Sequence, residues 1–295
     1  MLTRTLLYAT TTTMLLMQMS ICGCAGPKGS AVDADVQPRR ADIHERTDVA
    51  FASAVFFKPS DMTSGRMVAE LAPLIVQETA SDGSDSARDR FGAVRVGPDS
   101  SIEIDTATPT IYTKTSMVFL SGRRYDQVVY LWYYPSQGVN ETDDSLNAQG
   151  VRITLNAEGQ PCIWEVLADE TDTRTIYVSR SLEDAASAQF GQPLAGRRFV
   201  AERAVGDQPH VVVERVLDDG PVPMGPFVYL YAGTRSVATM LCRCMPSQVD
   251  EFIDADYYEL LPIDNLAGIG VDRLELMSRL LPAPLDKYLR LPDDF

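Results

Sequence analysis

Histidine is almost missing from this chain: His44 and His210 are the only two in 295 residues. Triads and histidine-relayed proton transfers therefore have little to work with. His44 lies in a polar stretch with nothing around it to fix a ligand geometry. Cysteine is sparse as well, at Cys22, Cys24, Cys162, Cys242 and Cys244. The sequence holds no Gly-x-Ser-x-Gly elbow, no Gly-x-x-x-x-Gly-Lys phosphate loop and no His-Glu-x-x-His pair. Gly268-Ile269-Gly270 lacks the third glycine of a dinucleotide site. Basic stripes are also missing. Lys plus Arg total 26 against 41 Asp plus Glu, a formal net charge of −15. That balance argues against nucleic acid, whose phosphates need clustered cations. It also argues against surface attraction to anionic headgroups. The acidity reads as a soluble, self-repelling surface.

What is present is β-forming. Val128 to Tyr134 is an unbroken apolar and aromatic run containing Trp132 and Tyr130, Tyr133 and Tyr134. It has no polar alternation and is too short for a helix with one wet face. It predicts a central strand covered on both faces, with the aromatics as core. Ile111 to Leu120 precedes it, and Ser121-Gly122-Arg123-Arg124 supplies a turn, so the two predict a hairpin. A second hairpin follows: Val151, Ile153 and Leu155 alternate with Arg152 and Thr154. Asn156-Ala157-Glu158-Gly159 turns the chain, and Cys162, Trp164 and Val166 alternate on the return.

The amino terminus carries a different signal. Arg4 opens a stretch from Thr5 to Ile21 that is uncharged and rich in Leu and Met. It is too short and threonine-diluted for a membrane-spanning helix and fits an export signal. The segment ends Ile21-Cys22-Gly23-Cys24, which resembles the lipobox of bacterial lipoproteins. The resemblance implies cleavage before Cys24, a diacylglycerol thioether on its sulfur and acylation of the new amino terminus. Cys22 is the poorer choice, because Met19-Ser20-Ile21 puts a bulky residue where a small one belongs. Ala25 follows Cys24, and by the same resemblance the lack of Asp there permits transfer to the outer membrane. Several acyl chains give durable anchoring. The rest of the chain resembles uncharacterised bacterial lipoproteins in outline only, which transfers no active site.

Residues 1–23 thus read as a lipoprotein signal peptide, 24–48 as a flexible tether poor in large apolar residues, and 49–295 as one globular domain. Strands are expected at Val49–Phe57, Met67–Val76 (where Pro73 blocks a long helix), Ala93–Val96, Ile102–Ile104, Thr175–Val178, Phe199–Val200, Val211–Val213, Phe227–Tyr231 and Val237–Met245. Ser181-Leu182-Glu183-Asp184 fits a capping box opening a short helix that ends near Gly191. Ser247 to Asp250 fits a second cap. Val271, Leu274, Met277, Leu280 and Leu281 share one helical face before Pro282. Many short strands and few helices give the fold class: α+β, a single domain dominated by an antiparallel β-sheet.

The candidate chemistry is thin. Cys162, Cys242 and Cys244 could make a soft-metal or redox site. They could equally leave one disulfide from Cys162 to Cys242 or Cys244, or stay as buried thiols. On a strand, Cys242 and Cys244 would share a face beside Met240. Glu165, amid an apolar strand, reads as either a tuned acid or the partner of Arg152. Glu141, Asp143 and Asp144, and Asp250, Glu251, Asp254 and Asp256, read as helix-terminal or solvated charges. Asp82-Gly83-Ser84-Asp85-Ser86 lacks the closing Glu of a calcium loop. The expectation is an envelope lipoprotein acting as a structural, assembly or binding module, whose partners would be the bilayer, through acylated Cys24, and an envelope protein. It has no cofactor besides that lipid. The alternative is a thiol-based redox or soft-metal protein using Cys162, Cys242 and Cys244.

Overall fold

The protein is seen in a computed structural model that describes residues 54–60, 66–79, 89–98, 101–135, 147–167, 174–203, 211–219, 225–244, 255–269, 285–293 and 295. Its strands are β1 (Ala54–Pro59), β2 (Leu74–Glu78), β3 (Ala93–Val96), β4 (Ile102–Asp105), β5 (Thr110–Leu120), β6 (Arg123–Tyr134) and β7 (Asn147–Leu155). They continue as β8 (Pro161–Leu167), β9 (Arg174–Ser179), β10 (Val211–Leu217), β11 (Gly225–Leu230), β12 (Val237–Cys244) and β13 (Asp256–Pro262). The helices are short: α1 (Arg66–Glu70), α2 (Arg180–Phe190), α3 (Leu285–Tyr288) and a 3-10 turn at Ile263–Gly268. The fold is α+β and mainly β.

Eleven strands make one sheet, in the order β10-β9-β8-β7-β6-β5-β13-β1-β2-β11-β12; β3 and β4 form a separate ribbon. Antiparallel pairing dominates through β5 to β9, where consecutive strands turn back on one another. The sheet as a whole is mixed. β13 runs parallel to β5 and to β1, β11 parallel to β2, and β10 parallel to β9. β13 was not among the expected strands, yet it joins the two halves of the sheet.

The sheet curls until its last strands approach each other. The Tyr177 hydroxyl on β9 is hydrogen-bonded to the Thr239 side chain and the Met240 backbone on β12. Side chains therefore bridge that seam. The enclosed face is packed with Trp132, Tyr130, Tyr134, Trp164, Tyr177 and Tyr258, all but inaccessible to solvent. β6 explains the arrangement: its alternate residues Val129, Leu131 and Tyr133 pack on the opposite face, under β3, β4 and the 3-10 turn. A run buried on both sides must be apolar throughout, as the sequence implied.

Several local readings are corrected. Met67–Val76 is not one strand: Arg66–Glu70 is helical and the strand begins after Pro73. Met67, Val68 and Leu71 pack inward from the helical turn, and a residue preceding proline is pushed out of the helical region. α1 is tied into the interior by the Tyr130 hydroxyl donating to Val68 O at 2.6 Å; the Tyr258 hydroxyl holds the link after it, donating to Pro73 O at 2.6 Å. The α2 cap is Ser179, whose Oγ accepts from Leu182 N at 3.1 Å. Ser181 is instead held by Asp219, so the helix is capped two residues earlier than expected, and with Leu182 at the third helical position the expected capping box does not form. Gly191 does end the helix. Phe199–Val200 is a turn, because its N–H groups go to carboxylates. Glu202 Oε2 accepts from Phe199 N at 2.9 Å, and Glu183 Oε1 accepts from Val200 N at 2.7 Å. Burial raises the Glu183 carboxyl above its ordinary value, opposed by the Val200 and Ala201 N–H donors. The Val271–Leu281 helix and the Ser247–Asp250 cap lie outside the described residues.

Candidate functional site

Cys24, Cys22, His44, His210, the Asp82–Ser86 loop, the Glu141–Asp144 loop and Asp250, Glu251 and Asp254 all lie outside the described residues. Cys162 is buried in β8, and its thiol donates to Thr154 O at 3.3 Å. Cys242 and Cys244 stand on β12, the last strand in the order, which the curl of the sheet brings against β9, the neighbour of β8. The β11–β12 register shifts between Val228↔Met240 and Pro226↔Arg243. The side chains of Cys242 and Cys244, expected on one face beside Met240, lie outside what the structure describes. Among the described residues no group of three His, Cys, Asp or Glu side chains could hold a metal ion.

Glu165 meets Arg152 directly across the β7–β8 ladder, not diagonally. The guanidinium Nη1 lies 3.4 Å from Glu165 Oε2, and both side chains are sealed from water. A sealed, neutralised carboxylate offers no route to a substrate; its place is structural. Beside it Gln127 Nε2 donates to Thr154 Oγ1 at 2.9 Å. Asp256 is a solvated charge, as read, paired with Arg90 at the start of β13.

A second buried network had no signature in the sequence. Arg235, in the β11–β12 turn, is 1% exposed and sits at φ 60°, a left-handed conformation that side chains resist. Its Nη1 donates to Pro135 O at 2.9 Å, its Nε lies 3.5 Å from Asp89 Oδ1, and its guanidinium lies over the Tyr134 ring. Gly233 N donates to the same carboxylate at 3.3 Å. The Tyr134 hydroxyl donates to Gln77 Oε1 at 3.0 Å and accepts from Trp132 Nε1. These groups fasten the β11–β12 turn over one mouth of the curled sheet. Asp89 and Arg235 stand 146 residues apart, and no local pattern links them.

The exposed feature of the sheet is its longest hairpin. β5 and β6 pair without interruption from Tyr112↔Leu131 to Leu120↔Arg123. Ser121 and Gly122, at φ 49° and 82°, make the two-residue turn, whose twist suits a hairpin. Arg123 and Arg124, expected in the turn, belong to β6 instead. β7 accompanies β6 only down to Gln127, and β13 accompanies β5 only to Thr113. The end of the hairpin is therefore an arm. One face packs Val118, Leu120 and Tyr125 against Leu291 and Phe295, with the Tyr125 and Phe295 rings stacked at 4.7 Å. The other face leaves Phe119 66% and Met117 48% exposed.

No protein family, no curated protein and no solved structure matches this chain.

Proposed function

We propose that this chain is a lipid-anchored binding module of the bacterial cell envelope, held on the outer membrane by acyl chains on Cys24. It works through contacts rather than catalysis. One observation carries the anchor: an uncharged, Leu- and Met-rich leader ending in Ile21-Cys22-Gly23-Cys24. The domain supports the binding reading in a simple way. Its buried carboxylates at Glu165, Glu183 and Glu202 are engaged by Arg152 or by backbone N–H groups, while its large exposed apolar side chains include two on one arm.

Growth with labelled palmitate tests the anchor. The wild-type chain and Cys22→Ser should take up label, and Cys24→Ser should lose both label and membrane retention. Undiminished labelling of Cys24→Ser would end this reading. A thiol-based role for Cys162, Cys242 and Cys244 makes the opposite demand of the folded chain. It needs bound metal or a thiol that reacts while the fold is intact, which metal analysis and thiol titration measure.

A further inference from the structure

We propose that the outer edge of β5, from Thr115 to Leu120, is a docking strand for an extended segment of another envelope protein, apolar at its centre and acidic at its ends. This deepens the binding-module reading above: the partner's place in the envelope rests on that reading, whereas the open edge and the chemistry of its occupant do not.

The edge is open by register. β6 occupies one side of β5 as far as Leu120, whereas β13 stops opposite Thr113, with Pro262. Among the described residues nothing pairs with Thr115 to Leu120 on the outer side. Open edges invite another strand, and proteins usually blunt them with proline, bulges or charge. Thr115 to Leu120 contains no proline and no charged residue, and its register with β6 has no bulge. Exposed Met117 and Phe119 add apolar area on one face, while Val118 and Leu120 on the other fix the arm against the carboxyl-terminal segment. A prefixed arm loses little freedom on binding.

The chemistry of the edge selects its occupant. A row of backbone N–H and C=O groups is matched by another extended backbone, with side chains supplying specificity. No acid occurs from Thr106 to Tyr125, and Lys114, Arg123 and Arg124 flank the uncharged stretch. Arg123 also donates to the Asp293 carbonyl. Arg124 pairs with Asp126 at 3.3 Å, with both side chains more than half exposed. Such a pair is worth little and is easily exchanged. An entering strand with acidic ends would lie beside Lys114 at one end and one strand away from Arg123 and Arg124 at the other, in exchange for contacts that these cations already make.

A second copy fits poorly. Antiparallel self-pairing centred on Met117 puts Leu120 of the copy opposite Lys114, and its Ser121-Gly122 turn opposite Thr113. Pro262 of β13 already occupies that register. Each copy also carries a net charge of −15.

Hydrogen exchange on the full chain in detergent tests the proposal. The probes are two capped heptapeptides, Asp-Val-Thr-Val-Thr-Val-Asp and its counterpart with Lys at both ends. The outward amides of Thr115 to Leu120 should exchange fast in the free protein. The acid-ended peptide, at about ten times its dissociation constant, should slow them roughly tenfold, and the lysine-ended peptide should slow them far less. Lys114→Glu with Arg124→Glu should reverse the preference. Met117→Lys with Phe119→Lys should abolish protection while leaving the circular dichroism spectrum unchanged. The proposal is overturned if those amides are already slow in the free chain, or if millimolar acid-ended peptide leaves them unprotected. Equal protection by both peptides, a concentration-dependent dimer through the arm, or protection only after reconstitution in phosphatidylglycerol vesicles would overturn it as well. Palmitate labelling of Cys24 reads the anchor separately, so neither failure can be mistaken for the other.

Discussion

Arg152 and Glu165 face each other across the β7–β8 ladder, 3.4 Å between Nη1 and Oε2, with about one hundredth of either side chain open to water. Removing one partner leaves the other charge buried and uncompensated. We expect Glu165→Leu alone to cost about 3–5 kcal/mol. The double change Arg152→Met with Glu165→Leu should recover most of that loss, because a well-packed apolar pair can replace a buried ion pair. Urea denaturation of the three variants measures this. If the double variant is no better than Glu165→Leu, the pair is not the source of the cost.

Arg235 is held at φ 60° inside the protein. At an ordinary strand or helix position, Ala is more stable than Gly. Here the order should invert: Arg235→Gly and Arg235→Ala lose the same contacts to Asp89, Pro135 and Tyr134, but Gly accepts the left-handed backbone. We expect the Gly variant to be the more stable of the two by about 1 kcal/mol. Equal melting midpoints would argue against backbone strain at this turn.

Gly225 opens β11 against the link between α1 and β2. A Cβ there would collide with the carbonyl oxygen of Ala72, and backbone yields less readily than a side-chain tip. Gly225→Ala should destabilise by about 1–3 kcal/mol, as overpacked interiors do. Gly159, at φ 78° with open space around its Cβ position, gives a contrasting control: its Ala variant should suffer from backbone conformation alone. Thermal melts of the two separate collision from conformation.

Burial pushes the phenols of Tyr130, Tyr134, Tyr177 and Tyr258 well above their ordinary value of 10.0. The unfolded chain ionises them near that value while the folded chain keeps their protons. Their contribution is therefore intact below pH 10 and is lost as pH rises further, by about 1.4 kcal/mol per pH unit for each tyrosine. Alkaline unfolding should be steep, with the phenolate absorbance of these four appearing together with loss of the fold. Gradual ionisation of all tyrosines within a still-folded protein would contradict this.

Much of the sheet could be read from residues close together in the chain. Val128 to Tyr134 announced a strand buried on both faces, and Gly122 and Gly159 marked turns that need positive φ. Where the reading failed, a distant partner had intervened. Phe199 and Val200 look β-forming, but Glu202 and Glu183 claim their N–H groups. Asp256 is the solvated charge it was read as, but the strand it begins, which joins both halves of the sheet, was missed. Of the candidate sites, Glu165 with Arg152 was legible because both lie on adjacent strands of one hairpin. Asp89 with Arg235 was not.

By itself, the sequence determined which segments can be strands and where they must turn, since side-chain alternation, β-branching and glycine act on the local backbone. The proposed lipid anchor rests likewise on adjacent residues, Ile21-Cys22-Gly23-Cys24. Only the tertiary structure decided that β13 enters between β1 and β5, pairing Phe57 with Asp256, and that β5 outruns it. Partner choice between strands this far apart in the chain is settled by the fit of whole faces in a shared core, and local periodicity carries no record of that fit.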